Sequence, residues 1–222
     1  MNDNPTEFDD TTQIIIAQPN IDQSTKWQGG NLANNYIQHI EASKVRDRKY
    51  TLWNDDGPQQ TFLVWPESAI SPFLLENPQA MDLIEILLKS YKGTPYLITG
   101  AMRADHADHS FQETVFYNSI ILMDEQANFL ETYDKHHLVP FGEYIPLSDI
   151  FDISPIIGFS GLKKGTGRNV MTPPDGPAFI PQVCYEAIFP SLAKPNEPGK
   201  TPEWIVNATN DGWYGDTAGP HQ

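Results

Sequence analysis

Three side chains with the chemistry of acyl transfer stand at the ends of predicted strands. Glu67 follows the letters FLVW and a proline, Lys135 follows the letters ETYD, and Cys184 ends the segment before YEAIF. A free thiol has a pKa of about 8.5, so only a few per cent of it is thiolate at neutral pH. A nearby carboxylate can take its proton, and an ammonium can stabilise the thiolate and a later oxyanion. These residue types therefore predict an acyl-transfer site, provided that the fold brings them together.

Each of the three residues also has a simpler explanation. A lone cysteine is more often a small buried hydrophobic side chain than a nucleophile. Glu67 could cap the turn before the letters SAI, and Lys135 could be a surface lysine. Composition and spacing alone leave an α/β domain that could be a thiol enzyme.

Length and composition limit the class of protein. A chain of 222 residues, 39% hydrophobic and 19% charged, is typical of one globular domain that needs no disulfide or metal to hold its core. Its single cysteine excludes an internal disulfide. The net charge of −15, from 29 acidic and 14 basic residues, argues against nucleic-acid binding and against membrane docking through bulk charge. The apolar runs are too short for a spanning helix and no signal peptide is evident, so we expect a soluble chain.

The hydrophobic pattern predicts strands that alternate with helices early in the chain, followed by adjacent strands. The predicted strands cover 13–18, 61–65, 96–102, 115–123, 129–133, a segment ending at 183–184, and 204–209, and the predicted helices cover 31–48 and 78–92. The letters DEQAN at 124–128 predict a hairpin turn, and Gly93 is expected to end the second helix. This order favours a layered α/β protein with a mixed sheet. We expect residues 1–12 to be a linker or disordered lead-in, and 13–222 to be one domain truncated at its C-terminus.

Six stretches of the chain carry a resemblance to a known family. They are IAQPNIDQSTKW at 16–27, VWPESAI at 64–70, YNSIILMD at 117–124, YDKHHLVPFGEYIPL at 133–147, VCYEAIFP at 183–190 and NATNDGWYGDTAGPHQ at 207–222. On these stretches the chain resembles the nitrilase superfamily of carbon–nitrogen hydrolases, and within it the periplasmic catalytic domain of the apolipoprotein N-acyltransferases. They follow the family's order over nearly the whole chain. The resemblance implies a nitrilase-like four-layer α-β-β-α sandwich that lacks its C-terminal end.

The resemblance implies roles for the reactive residues. Glu67 would be the general base, Lys135 the ammonium that stabilises the tetrahedral oxyanion, and Cys184 the nucleophile. The backbone N–H of Tyr185 would be the second oxyanion donor. Glu143 matches the family's second acidic residue, which would hold Lys135 in place and help to keep it charged.

Further matched positions surround the acyl pocket that the resemblance implies. Tyr185, Glu186 and Trp27 match positions that the family uses around this pocket and its mouth. Trp213, in the letters NDGWYG, is also expected to contact substrate.

The activity that the resemblance implies is transfer of a fatty acyl group from a phospholipid, through a Cys184 thioester, to the N-terminal amine of a diacylglyceryl-cysteine apolipoprotein. Family members carry transmembrane helices that are absent from this chain. The parent protein would therefore lie in the bacterial inner membrane, with this domain facing the periplasm. Two alternatives stay open: a soluble carbon–nitrogen hydrolase with the same three residues, and a non-catalytic lipid- or protein-binding module.

Two other groups of residues suggest further hypotheses. The letters DHADH at 105–109, together with His136 and His137, suggest metal binding, but a catalytic zinc ion needs three converging ligands and no third ligand is assured here. We therefore expect no metal and no cofactor. The letters GLKKGTGR at 161–168 place Lys163, Lys164 and Arg168 among glycines, which could form a lid that meets lipid phosphates or a solvated loop.

Overall fold

The computed structural model describes the greater part of the chain. The described residues are 9–22, 26, 30–44, 57–106, 114–140, 142–143, 161–167, 170–194 and 201–214, except for the side chains of Trp213 and Tyr214. Their strands are β1 (Thr12–Ile16), β2 (Gln60–Ile70), β3 (Thr94–His106), β4 (Thr114–Met123), β5 (Phe129–Asp134), β6 (Phe179–Val183) and β7 (Trp204–Ala208). Their α-helices are α1 (Leu32–Ser43), α2 (Pro72–Leu75) and α3 (Pro78–Leu88), and short 3-10 helices cover Cys184–Ile188, Pro190–Ala193 and Asp211–Tyr214.

The first five strands form one mixed sheet in the order β1-β2-β3-β4-β5. β1, β2 and β3 are parallel, whereas β4 is antiparallel to both β3 and β5. A parallel connection requires a crossover, and the helices between β1 and β3 provide it. β6 and β7 form a separate parallel pair in which Val183 lies beside Ala208. The predicted mixed-sheet α/β architecture is therefore confirmed.

The five-stranded sheet is buried on both faces, because successive side chains of its strands point to opposite layers. On one face Leu63 and Trp65 pack in a cluster with residues of α1, α2 and α3. On the other face Phe62 and Ile98 pack against Phe179 and its neighbours in the second sheet. The described residues thus supply three layers of the predicted α-β-β-α sandwich, and the second helical layer stays a prediction.

α3 shows how the sequence builds the helical layer. The Asn77 side chain accepts a hydrogen bond from Ala80 N at 3.2 Å, and a proline fills the first helical position. Ile84 and Leu88 are fully buried against the sheet, and burying such a side chain contributes roughly 1.5–3 kcal/mol. The helix ends at Leu88, before the predicted end, so the prediction that Gly93 ends it is wrong. Gly93, with a φ of +75°, lies instead in the turn that enters β3.

The other boundaries differ from the predictions mainly in length. β2 continues to Ile70 and β3 to His106, beyond their predicted ends. The predicted hairpin turn is confirmed, since Asp124 N donates to Asn128 O at 3.1 Å. α2 has only four residues, too few for a hydrophobic period to indicate it. Residues 45–48 of the first predicted helix and 1–8 of the predicted lead-in lie outside the described residues.

Candidate active site

Glu67 lies in an irregular part of β2, opposite a glycine of β3. The pairing of the two strands breaks after Trp65 and resumes at Ile70, and only Gly100 of β3 lies opposite the four intervening residues. Ser68 has a φ of +52°, a left-handed conformation that costs energy in a residue other than glycine. The carboxylate is therefore carried by a bulge inside the strand, and not by a loop after the strand as the sequence suggests.

Lys135 follows β5 directly and is only 1% exposed. Its backbone N–H donates to Asn118 O of β4 at 2.8 Å, and its carbonyl accepts from Gly165 N at 2.9 Å. A Cβ atom at position 165 would overlap the carbonyl oxygen of Asp134, so glycine is needed for this close approach. The lysine backbone is thus held from both sides. Because the residue is buried, the alternative of a surface lysine is excluded.

Cys184 is the first residue of the 3-10 helix that directly follows β6. Its φ is +50°, which is rare for a residue other than glycine and is concentrated at functional sites. The side chain is half-buried and packs at the edge of the cluster between the two sheets. This conformation turns the chain out of the strand direction at the cysteine.

Glu186 ties the cysteine turn to the lysine turn. It is fully buried, and its Oε1 accepts hydrogen bonds from the Tyr133 hydroxyl and from the backbone N–H groups of His136 and His137, all at 2.8–2.9 Å. Its Oε2 accepts from Val183 N at 2.8 Å. One carboxylate thus joins the segment after Lys135 to the segment before Cys184 and fixes their relative position.

The charged side chains of Glu67, Glu143 and Lys135 form one cluster, in which Glu67 and Lys135 are buried and Glu143 is partly buried. Lys135 Nζ lies 2.9 Å from Glu143 Oε1 and 3.8 Å from Glu67 Oε1. The Asn118 side-chain amide donates to the same two carboxylate oxygens, at 3.0 Å for Glu143 and 2.8 Å for Glu67. The predicted contact between Lys135 and Glu143 is therefore present.

The electrostatics keep Lys135 charged. Burial lowers the pKa of the ammonium. The charges of Glu143 and Glu67, the hydrogen bond to Glu143 and the charge of Cys184 raise it, and the sum leaves the pKa above its ordinary value. An ammonium in this position can stabilise an anion that forms nearby, and it cannot act as a base at neutral pH.

Opposing influences act on the Cys184 thiol. Burial and then the charge of Glu67 raise its pKa, whereas a hydrogen bond with the Thr209 side chain, the charge of Lys135 and the Tyr185 N–H lower it. The sum leaves the pKa above its ordinary value. The thiol is thus protonated at neutral pH, and it needs a base within reach to become a nucleophile.

The end of β7 completes the site from the second sheet. The Thr209 side chain lowers the pKa of the Cys184 thiol, and the next residue, Asn210, donates its backbone N–H to Glu67 Oε2 at 3.2 Å. Two successive residues therefore act on the thiol and on the carboxylate, one on each.

The structure brings together most of the residues predicted for the site, namely Glu67, Lys135, Cys184, Glu143, Tyr185 and Glu186. The Tyr185 ring packs edge-on against Phe189 with a centroid distance of 5.0 Å. Trp27 and the side chain of Trp213 lie outside the described residues, so their contact with substrate stays a prediction.

Asn118, Thr209 and Lys26 also contact the site, and the sequence-based predictions did not include them. Lys26 is 6% exposed and donates from Nζ to the backbone oxygen of Glu67 at 3.0 Å. Burial lowers its pKa to about 8, despite the nearby charge of Glu67. The only signal in the sequence is that all three stand inside stretches that carry the family resemblance.

The histidines suggested as metal ligands make other contacts. His106 Nδ1 lies 2.9 Å from Thr114 Oγ1, and its Nε2 lies 3.2 Å from Glu76 Oε1. His136 Nδ1 lies 3.0 Å from Gly165 O. Over the described ranges, no three histidine, cysteine or acidic side chains are grouped to hold a metal ion. Asp108 and His109 lie outside those ranges.

The basic segment at 161–167 is tied to the site by its backbone. Leu162 N donates to Glu143 O and Lys163 N donates to Phe116 O, both at 2.8 Å. The side chains of Lys163 and Lys164 are exposed. Their contact with lipid phosphates stays a prediction, and Arg168 lies outside the described residues.

Comparison with known proteins assigns the family. The profile of the carbon–nitrogen hydrolase family matches residues 14–222. The chain belongs to the carbon–nitrogen hydrolase family. The match covers every residue of the cluster described above. It also agrees with the nitrilase-like α/β fold that the sequence predicts.

Curated relatives in the family are longer than this chain. The chain is 39% identical to an apolipoprotein N-acyltransferase of Bradyrhizobium diazoefficiens, over 98% of the chain and 40% of the relative. It is 36% identical to an apolipoprotein N-acyltransferase of Rhodopseudomonas palustris, again over 98% of the chain and 40% of the relative. The chain thus spans about two fifths of the length of these relatives.

Solved structures support the family's fold. A crystal structure of an N-terminal amidase matches 88% of this chain and 47% of its own, with a TM-score of 0.50 at 12% identity. At this identity the likeness concerns the fold alone. Within the part of the chain that the structure describes, no helix has both the length and the apolar character needed to cross a bilayer.

Proposed function

We propose that this chain is the catalytic domain of an apolipoprotein N-acyltransferase, which moves a fatty acyl group from a phospholipid to the N-terminal amine of a diacylglyceryl-cysteine lipoprotein. The observation that carries the proposal is Cys184 beside a buried carboxylate and a buried ammonium, an arrangement suited to a thioester intermediate. The choice among acyl transfers rests on identities of 36–39% to proteins with this name.

Acylation of the enzyme begins when the Cys184 thiol gives its proton to the Glu67 carboxylate. The sulfur attacks the ester carbonyl carbon of the phospholipid, and a tetrahedral oxyanion forms. Glu67 suits the role of base because Asn118 and Asn210 fix its two oxygens close to the thiol. The ester C–O bond then breaks, the departing lysophospholipid oxygen takes the proton from Glu67, and a thioester is left on Cys184.

Two donors are available for the oxyanion. The Lys135 ammonium stays charged beside Glu143, and the Tyr185 N–H lies near enough to the Cys184 sulfur to lower the pKa of the thiol. Both donors are in place before the reaction, so little reorganisation is needed when the negative charge develops.

Deacylation repeats the same proton transfers with an amine as the nucleophile. The N-terminal amine of the acceptor attacks the thioester carbonyl carbon and loses one proton to Glu67. The C–S bond then breaks, and the departing Cys184 sulfur takes that proton, which restores the free enzyme. The product is an amide, and the two half-reactions form a ping-pong cycle.

The location follows from the proposed substrates. Both the donor and the acceptor are held in a lipid bilayer, so we infer that the parent protein acts at the bacterial inner membrane, with this domain on the periplasmic side. This inference is supported by the name of the curated relatives, of which the chain covers 40%.

The test of the proposed function measures where the acyl group goes. The chain is incubated with phosphatidylethanolamine micelles and a diacylglyceryl-cysteine peptide, and the acylated peptide and free fatty acid are quantified by mass spectrometry. We expect N-acylated peptide from the parent chain and none from Cys184→Ala. Free fatty acid without acylated peptide would assign a hydrolase instead. Turnover of small amides with no phospholipid turnover would also contradict the proposal.

A further inference from the structure

The two carboxylates of the site meet at a single amide nitrogen. Asn118 Nδ2 lies 2.8 Å from Glu67 Oε1 and 3.0 Å from Glu143 Oε1. Asn118 is 3% exposed, so water does not compete strongly for these bonds. The nitrogen has two hydrogens, and each is directed to one carboxylate.

The charge balance of the cluster explains why a second donor is needed. Two carboxylates, Glu67 buried and Glu143 partly buried, face one ammonium. Lys135 Nζ lies closer to Glu143 Oε1 than to Glu67 Oε1, at 2.9 Å against 3.8 Å. When the ammonium turns toward an oxyanion, its hold on both carboxylates weakens and their mutual repulsion is less balanced. The neutral amide of Asn118 still donates to both, because its hydrogen bonds do not depend on the lysine.

The position of Asn118 also fixes the lysine itself. Its backbone oxygen accepts from Lys135 N at 2.8 Å, and its backbone lies opposite Met102 in the pairing of β4 with β3. The same residue thus sets the place of the lysine backbone through its carbonyl and the place of the two acids through its side chain.

The orientation of the Asn118 amide that serves the two carboxylates is unfavourable for the amide oxygen. With Nδ2 turned to the carboxylates, Asn118 Oδ1 is buried and has no hydrogen-bond partner among the described residues. A buried polar atom without a partner lowers stability, whereas an apolar side chain of similar shape at this position avoids that loss. The residue is therefore suited to the site more than to the stability of the fold.

We propose that Asn118 is a positioning residue for acyl transfer, which holds Glu67 and Glu143 at a fixed separation while Lys135 stabilises the oxyanion. This inference rests on the proposed function only in its use of a Cys184 acyl-enzyme, since it concerns how the thiol is acylated and not which acyl group is transferred. It can therefore be tested with a small activated ester in place of a lipid.

The experiment follows the burst of p-nitrophenol from p-nitrophenyl acetate, which reports acylation of the only cysteine in the chain. The variants are Asn118→Leu, Glu143→Gln and the double variant, which together with the parent form a double-mutant cycle. We expect Asn118→Leu to slow the burst by about 100-fold in the parent, in the range of lost general-base catalysis. In the Glu143→Gln background we expect a further loss of less than about 5-fold, because one of the two repelling charges is gone.

Ser119→Ala is the matched control for this cycle. Ser119 follows Asn118 in β4, is also buried, and donates to Asp134 Oδ1 at 2.6 Å, so its loss removes one partly buried hydrogen bond from the same strand. We expect its burst rate to stay within about 3-fold of the parent, and thermal unfolding of each variant verifies the fold.

The outcomes separate this inference from the proposed function. Equal losses in the two backgrounds would assign Asn118 a purely structural role and overturn the inference, as would an unchanged burst in Asn118→Leu. A parent that shows the burst but transfers no phospholipid acyl group would overturn the proposed function. The double-mutant cycle would then still test the role of Asn118 in acylation of Cys184. A parent without a burst would overturn the thiol acyl-transfer site and the role of Asn118 together.

Discussion

The bulge that carries Glu67 exists because Gly100 has no side chain. A Cβ atom at position 100 would lie 2.6 Å from Glu67 Cα and 2.8 Å from Ser68 N, closer than non-bonded atoms approach. The neighbouring strand therefore determines where the base can lie. Because these contacts are to backbone atoms, they cannot be relieved by a change of rotamer.

Gly100→Ala tests this dependence. We expect the substitution to displace the Glu67 backbone and to slow acylation of Cys184 by at least about 10-fold, since a shift of about 1 Å at a catalytic group can cost about 100-fold. The measurement is the rate of the p-nitrophenol burst, with Ala101→Gly, at the next position of β3, as the control. A Gly100→Ala burst as fast as that of the parent would show that the bulge tolerates the methyl group.

Lys26 makes the stability of the fold change with pH in the alkaline range. Burial lowers its pKa to about 8, against 10.5 for an ordinary lysine, so between these values the unfolded chain binds more protons than the folded chain. The free energy of unfolding should therefore rise with pH over this window, by up to about 3 kcal/mol from this group. Below pH 8 the cost of burying the charge is constant.

Lys26→Met removes this titration. Urea unfolding of the parent and of the variant is measured at pH 7 and pH 10. From pH 7 to pH 10 we expect the free energy of unfolding of the parent to rise by about 2–3 kcal/mol relative to that of the variant. The variant also loses the hydrogen bond to Glu67 O, a loss that does not change with pH. The same difference between the two proteins at both pH values would mean that Lys26 is not buried as a titrating amine.

Thr209 lowers the pKa of the thiol through its hydrogen bond to the Cys184 side chain. In Thr209→Val this bond is lost, so the pKa should rise further and alkylation by iodoacetamide at pH 7 should slow by about 3–10-fold. Intact mass spectrometry follows the reaction, and Thr172→Val, on an exposed position before β6, is the control. Alkylation of Thr209→Val at pH 7 at the same rate as the parent would argue against this hydrogen bond.

Glu186 should matter for stability more than a surface acid does. In Glu186→Gln one of the carboxylate oxygens becomes an NH₂ group, which faces backbone N–H donors that need an acceptor. We expect a loss of about 2–3 kcal/mol, or roughly 5–10 °C in Tm for a chain of this size. Thermal unfolding measures it against Glu76→Gln, whose side chain is 60% exposed. An equal, small change in both variants would contradict the role given to Glu186.

The layered fold can be predicted from sequence because burial follows the strand period. Phe62 and Leu63 are adjacent apolar residues that face different layers. They belong to the run of four apolar residues at 62–65, and such a run has apolar side chains on both faces of the strand, so this part of the strand must lie inside the protein. The bulge at Glu67 cannot be predicted in this way. It depends on the absence of a side chain at Gly100, in another strand.

The reactive side chains can be predicted from their types and from the family resemblance. The residues that hold them in place cannot. Asn118 meets carboxylates 51 and 25 residues away, and Lys26 meets a carbonyl 41 residues away. A lysine or an asparagine is usually exposed, so neither residue type indicates burial. Their burial becomes evident only when the strands are paired.

The central claim is that Cys184 carries the acyl group, with Lys135 stabilising the oxyanion that precedes it. The most direct test is the intact mass of the chain after brief incubation with phosphatidylethanolamine micelles, for the parent, Cys184→Ala and Lys135→Ala. We predict an increase of one fatty acyl group on the parent, none on Cys184→Ala, and a rate about 100-fold lower for Lys135→Ala, as for the loss of one oxyanion donor. An unmodified parent, or the same adduct on Cys184→Ala, would contradict the claim.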